Sequence, residues 1–463
     1  MKHLFPLITL LLLAPQNASA DPFAELDQAV EQLTQPDTEE FSLWYYQRMQ
    51  EFSQWQEQHL AEWDAYRAEA MRQWGDTHIE QPDTLVSVSE QGDVKTTVDL
   101  EQQQIVVRFV QVAPENEPSP DATPNVTPDS PQTPTQPTTD GVVEVNSIRQ
   151  AHTPHQQVIE KVNQALQANQ QLWQQLHFTP PAVTLETKQV TIQPEVLPTA
   201  ELQKVHQLID QQSQQQLSQL DIQVEHAPAE VNQDFRDRLV AEQQQRIMAT
   251  REQRKQQATR DFASARKEWQ EQPKQVVEYR VAIPSGSMGK LAAAYREPVE
   301  RHSQELQLPA ALVMAIMHTE SHFNPQAKSH IPAYGLMQVV PSSAGRDVNR
   351  LFHQRDKSMS PHQLYDPEFN IHTGIAYLSI LQTRYLKGIN NPQSSEYAII
   401  AAYNTGAGNV AKAFNTRSTS KAVAAINQLT PEQVYQQLLA NLPYPETQNY
   451  LKKVTSRKRL YQQ

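Results

Sequence analysis

Residues 309–325 read PAALVMAIMHTESHFNP, and this stretch decides how the rest of the chain is understood. Proline suits the first turn of a helix, where its missing N–H goes unneeded. Leu312, Val313, Ile316 and Met317 recur at i, i+1, i+4 and i+5 and make one apolar face. Glu320 falls at i+8 on that face, at the helix end. Burial disfavours the charged form of a carboxyl and raises its pKa, which a general acid working near neutral pH requires. The helix alone fits a buried structural ion pair equally well.

The segments that follow change that balance. Glu320-Ser321-His322-Phe323-Asn324-Pro325 ends the helix, and Gly335-Leu336-Met337-Gln338 begins fifteen residues after the glutamate. Further on stand Ala401-Ala402-Tyr403-Asn404-Thr405-Gly406-Ala407-Gly408 and then Glu446-Thr447-Gln448-Asn449-Tyr450. In order and approximate spacing these four segments resemble the motifs of the lytic transglycosylase (SLT) family, with its goose-lysozyme-like fold, over about 170 residues. The resemblance implies roles for the matching positions. Glu320 would be the catalytic acid/base, Tyr450 would orient it, and Glu446 would support the same motif. Ser329 would contact substrate near the reacting sugar. Gln338 and Met337 in the cleft floor, with Tyr403 and Asn404 along the subsites, would bind the glycan. Read without the family, Tyr403 and Tyr450 are core tyrosines and Ser329 a turn residue.

The implied reaction is non-hydrolytic cleavage of the β-1,4 bond between N-acetylmuramic acid and N-acetylglucosamine in peptidoglycan, leaving 1,6-anhydro ends, in cell-wall remodelling and turnover. The carboxylate pattern agrees. Ordinary glycosidases use two carboxylates, whereas no Asp or Glu lies between Ser321 and Arg346, and Asp347, Asp366 and Glu368 read as surface-loop residues. One acid then serves both steps, and the sugar's own C6 hydroxyl is the nucleophile, an intramolecular attack that gains from pre-positioning. No metal or cofactor is expected. His318 and His322 flank Glu320 at i, i+4, but a zincin helix needs Glu next to the first His. Here Glu320 is two residues from each, about 200° around the helix.

Around this core the chain is heterogeneous. Lys2 and His3, an apolar Leu4–Ala14 and Ala18-Ser19-Ala20 read as a signal peptide over 1–20. The apolar run is too short to span a membrane, so an exported, periplasmic protein, soluble or peripheral to the wall and without a transmembrane segment, is expected. The chain has no cysteine, which excludes disulfides, thiol chemistry and a lipid anchor on cysteine. The net charge is −13, unevenly spread. Residues 291–463 carry 17 Lys and Arg against 11 Asp and Glu, and the remainder 22 against 41. A cationic C-terminal part suits a polyanionic polymer, although Lys452, Lys453, Arg457, Lys458 and Arg459 fit a solvated tail as well. No nucleic-acid partner is expected.

The fold class expected is α+β overall: an all-α lysozyme-like catalytic domain over 285–463, and a small α/β accessory domain over 21–112 completed by a strand at 274–284. Trp44, Trp55, Trp63 and Trp74, spaced 11, 8 and 11 apart, share one helix face, which reads as a packing stripe rather than a sugar platform. Residues 85–111 read as a hairpin turning at Gln91-Gly92-Asp93. Residues 113–141 hold eight prolines and read as a disordered or polyproline linker. Residues 142–273 are a Gln-rich helical, partly disordered insertion, with helices near 153–176, 199–219 and 231–272 and a strand between Val183 and Val190. The run Val276–Ile283 is positioned to pair back with the 94–110 hairpin. Two rival functions stay open: a hydrolytic muramidase with a remote second carboxylate, and a scaffold that organises wall-machinery proteins through 22–272.

Overall fold

The computed structural model describes residues 38–77, 81–89, 92–112, 142–143, 152–183, 189–192, 199–225, 232–271, 274–329 and 333–462. The expected signal peptide (1–20) and Pro-rich linker (113–141) lie outside the described residues.

The N-terminal part begins with helix α1 (Thr38–Trp74), followed by strands β1 (Thr84–Val88), β2 (Val94–Asp99) and β3 (Gln104–Val112). A short strand β4 (Val142–Val143) leads to helices α2 (His152–Ala168) and α3 (Gln170–Gln175), then β5 (Gln189–Ile192). Long helices α4 (Thr199–Glu225) and α5 (Gln233–Glu271) precede β6 (Lys274–Ala282). The strands form one sheet in the order β1-β2-β3-β6-β5-β4. Every pairing is antiparallel, which fits the α+β class expected of the chain overall. Strand β6 pairs with β3 along its whole length, from Gln104 opposite Ala282 to Val112 opposite Lys274. Alternating side chains send Ile105, Val107 and Phe109 to the buried face. The strand anticipated between Val183 and Val190 begins at Gln189 in the described residues, and 184–188 lie outside them.

The charged helix α5 buries Leu239, Gln243, Arg254, Phe262, Ala265 and Trp269 and forms ion pairs with its neighbours. Arg246 reaches Glu57 on α1 at 2.6 Å, Arg254 reaches Asp64 at 2.6 Å, and Lys255 reaches Asp210 on α4 at 2.6 Å. Of the tryptophan stripe, Trp74 is buried and Trp63 half-buried, donating to His59. The side chains of Trp44 and Trp55 lie outside the described residues.

The C-terminal part is helical: α6 (Ser287–Ala294), α7 (Arg296–Glu305), α8 (Ala310–Glu320), α9 (Ala344–Phe352), α10 (Pro361–Leu364), α11 (Pro367–Ile380), α12 (Pro392–Thr405), α13 (Ala407–Ala413), α14 (Thr419–Ile426), α15 (Pro431–Asn441) and α16 (Pro445–Lys458). A local pattern starts several of these helices: a side-chain acceptor at the cap and proline immediately after it. Ser360-Pro361, Asp366-Pro367, Asn391-Pro392 and Thr430-Pro431 each accept a bond from a backbone N–H of the first turn, and Ser360 and Thr430 complete capping boxes with Gln363 and Gln433. Pro309 is the extended cap residue of α8, not its first helical residue.

One apolar core joins the two parts. It runs from Leu85, Val98 and Ile105 on the sheet, through Ile159 and Trp173 on α2 and α3, to Leu291, Leu312 and Ile316 in the C-terminal helices. The accessory part is therefore not a detached module. The basic residues near the C-terminus are also not a loose tail. They lie on or next to α16, where Arg457 pairs with Glu101 and Lys458 with Glu396, both at 2.7 Å.

Candidate active site

Helix α8 ends at Glu320, and the next residue locks that end. The Ser321 hydroxyl donates to the Leu336 carbonyl at 2.7 Å, tying the helix terminus to the turn at 335–338. Glycine is required in that turn. Gly335 has φ +74°, and a Cβ there would land on the Leu364 carbonyl oxygen and the Asn370 amide. Buried Asn370 holds the turn from below. Its amide donates to the Tyr334 and Leu364 carbonyls at 2.7 and 2.8 Å, and its oxygen accepts from the Met337 N–H at 2.8 Å.

Above this floor lies a cavity of about 320 Å³ lined by Glu320, Ser329, Gln338, Tyr403, Asn404, Glu446 and Tyr450, among others. Seven of the eight expected site residues thus converge. Met337 is the exception: its side chain is fully buried and packs against Gly374. A thioether is apolar and goes to the core, and the Met337 carbonyl accepts from the Tyr403 hydroxyl at 2.8 Å.

The Tyr450 hydroxyl donates to Glu320 Oε1 at 2.6 Å. Burial pushes the Glu320 carboxyl up to about 8. The Tyr450 hydrogen bond works against that rise, and the neighbouring Glu446 adds to it. Burial also raises the Tyr450 and Tyr403 phenols well above their usual value, so both remain donors. Asn404 accepts from the Thr447 hydroxyl at 2.7 Å. Ser329 Oγ accepts from the Ala333 N–H at 3.2 Å, the turn role open to it, while also facing the cavity. Gln338 sits at φ +46°, and its amide donates to the Ala327 and Gly335 carbonyls at 3.1 and 2.9 Å. Its Oε1 is covered and has no partner.

The structure adds residues that motif reading passed over. Gln81, Pro82 and Asp83 reach the cavity from the edge of the sheet, and Gln214, Gln215, Ser218 and Gln219 reach it from α4. Gln215 donates to Glu446 Oε1 at 2.6 Å. A run of glutamines carries no positional signal in sequence, so nothing marked these four. Asp347, read as a loop residue, is buried on α9 and accepts from the Tyr385 hydroxyl at 2.9 Å. Asp366 caps α11, and Glu368 pairs with Arg301 at 2.6 Å.

Behind Glu320, His318 bonds to the Tyr461 hydroxyl at 2.9 Å and His322 to Glu101 at 2.6 Å. Burial, with Arg457 next, lowers His318 to about 3 and His322 to about 4. Asp83, Glu101 and His322 bring potential ligand atoms within 4.8 Å of one another. Arg457 and Lys453 already compensate Glu101, which disfavours a further cation there.

Part of the chain is similar to known proteins. Residues 297–426 match the family model of the Transglycosylase SLT domain. The chain is 44% identical over 190 residues to the membrane-bound lytic murein transglycosylase C of Sodalis glossinidius, covering 41% of this chain and 52% of that protein. It is 46% identical over 183 residues to the protein of the same name from Pectobacterium atrosepticum, covering 39% and 50%. The chain thus spans about half the length of the curated relatives it matches. Among solved structures, the 70-kDa soluble lytic transglycosylase of Escherichia coli is similar at 29% identity over 36% of this chain and 24% of that one, with a TM-score of 0.29. Residues 297–426 are thus similar to the Transglycosylase SLT domain, and the similarity to the curated lytic murein transglycosylases is confined to about 40% of this chain.

Proposed function

We propose that the chain cleaves the glycan strands of peptidoglycan as a lytic transglycosylase, with Glu320 as the acid and then the base. The observation that carries this reading is the carboxyl of Glu320, raised to about 8 by burial and bound by Tyr450 on the wall of the cavity. A carboxyl of that pKa still holds its proton at neutral pH and can donate it. With Oε1 engaged by Tyr450, the acidic proton belongs on Oε2. It passes to the glycosidic oxygen as the C1–O bond of N-acetylmuramic acid breaks. The C6 hydroxyl of the same sugar then attacks C1, and the Glu320 carboxylate takes its proton. The product is a 1,6-anhydro ring, no water is consumed, and the acid is restored. Tyr450 stabilises the ionised intermediate state of Glu320 by a charge-assisted bond. Acting on that polymer, the protein works in the periplasm. Among the described residues no helix is long and apolar enough to cross a membrane.

Hydrolysis is the second reading, because Glu446 and Asp83 line the same cavity. Burial raises both carboxyls, and Gln215 donates to Glu446 Oε1 at 2.6 Å, which occupies one of the oxygens that a water would need. Digestion of purified peptidoglycan followed by mass spectrometry separates the readings. Anhydro-muramyl ends are expected from the wild type, with a loss of about 10²- to 10⁴-fold in Glu320→Gln. Reducing ends would establish hydrolysis and direct attention to Glu446 and Asp83. Absence of any product from the wild type would leave the scaffold role in its place.

A further inference from the structure

Helix α4 belongs to the Gln-rich insertion, outside the 297–426 segment that matches the SLT domain. It is nevertheless fastened across the catalytic cleft. Gln215 donates to Glu446 at 2.6 Å, and the Ser218 hydroxyl bonds to that of Thr405 at 2.8 Å in a buried contact. Asp221 accepts from the Tyr444 hydroxyl at 2.9 Å and pairs with Lys412 at 2.9 Å. These contacts span two turns of one helix face and meet α12, α13 and the start of α16. The same face turns Gln214, Gln215, Ser218 and Gln219 toward the cavity that holds Glu320.

One further detail points to a ligand. The Oε1 atom of Gln219 is covered and has no hydrogen-bond partner, as is Oε1 of Gln338 in the cleft floor. A buried acceptor left unmet is costly. Both residues line one cavity and come from different parts of the chain. Gln219 as a residue is half-buried and reaches the cavity. Both sites need donors, and an N-acetylated glycan offers hydroxyls and acetamido N–H groups.

We propose that α4 forms a second wall of the glycan-binding groove, with Gln219 accepting a hydrogen bond from the bound sugar and Gln215 acting as a positioning residue through Glu446. The inference rests on the transglycosylase reading for the identity of the polymer. It assigns substrate recognition to the insertion as well as to the SLT segment.

The test uses the full chain. Binding of tetra-N-acetylchitotetraose to Glu320→Gln is measured by calorimetry, with and without Gln219→Met, which keeps the side-chain length and removes the acceptor. Peptidoglycan turnover is measured for the wild type and for Gln219→Met alone. The expected result is about tenfold weaker binding, equivalent to about 1.4 kcal/mol, with KM raised, kcat nearly unchanged and an unaltered melting temperature. Equal binding with and without Gln219→Met would overturn the wall. So would tighter binding or faster turnover, which would make α4 a strap that obstructs the groove. Absence of binding to the parent variant would also overturn it. The two readings fail separately. Turnover by the wild type with binding insensitive to Gln219→Met removes the wall and keeps the reaction. Binding that responds to Gln219→Met without any turnover removes the reaction and keeps the wall.

Discussion

At Glu320 two opposing effects act on one carboxyl. Burial drives its pKa upward, and the Tyr450 hydroxyl pulls it back by favouring the ionised form. Tyr450→Phe removes the second effect alone. The basic limb of the pH–rate profile should then move above about 8, and kcat should fall about 10- to 100-fold, because the ionised state loses a charge-assisted bond. A pH–rate profile of the variant checks both. Glu320 also affects stability. Its folded pKa is above the unfolded value of about 4.5, so the folded state binds the extra proton between these values. Its contribution is complete below about pH 4.5 and declines as pH rises toward 8. Thermal melts of Glu320→Gln should therefore show a gain over the wild type that grows from pH 5 to pH 8. The period of Leu312, Val313, Ile316 and Met317 already placed Glu320 on the apolar face. Its partner Tyr450 is 130 residues away, beyond the reach of any local pattern except the family motif.

Among the elements, the turn at 335–338 supports the cleft floor. Ser321, Asn370 and the Tyr403 hydroxyl all bond to its backbone. Its first residue is at φ +74° with no room for a Cβ. Gly335→Ala should lower the unfolding free energy by about 2–4 kcal/mol through the strained backbone and the clash. Activity should fall with it, since Gln338 and the Met337 carbonyl move with the turn. Urea melts and turnover on peptidoglycan measure the two effects. The Gly-Leu-Met-Gln run marks this turn in sequence, but not that the Met337 side chain is buried. A motif shows which residues recur together, while the direction of each side chain follows from packing. The boundaries of the capped helices were accessible from Ser-Pro, Asp-Pro, Asn-Pro and Thr-Pro pairs. The α1, α4 and α5 contacts were not, because their Gln-rich and charged surfaces carry little periodic apolar signal.

For the whole molecule, the β2–β3 turn is tied to the back of the active site. Glu101 in that turn meets Arg457 at 2.7 Å, His322 at 2.6 Å and Lys453 at 3.5 Å. Burial would raise the Glu101 carboxyl, but Arg457, with His322 and Lys453, outweighs it and holds the value at about 2. A depressed acid contributes stability above its unfolded pKa of about 4.5 and loses it as pH falls toward 2. Glu101 is partly exposed, so solvent screening limits the contribution to about 1 kcal/mol. Glu101→Gln should lower the melting temperature by about 1 °C at pH 7 and by less as the pH approaches 2. Melts from pH 3 to pH 7 would reveal a pH-independent deficit if the ion pairs do not connect the sheet to the catalytic helices.

The sequence by itself determined the helix that carries Glu320, the apolar face beneath it, the glycine turn and the β-branched run at 276–283. All are signals of local period and backbone conformation, which neighbouring residues impose on one another. Only the tertiary structure decided the register of β6 against β3, the turn of Met337 into the core and the placement of α4 along the cavity. Those outcomes depend on which distant surfaces exclude water together, and a polar glutamine face declares its partner only when packing brings a buried acceptor or carboxylate against it.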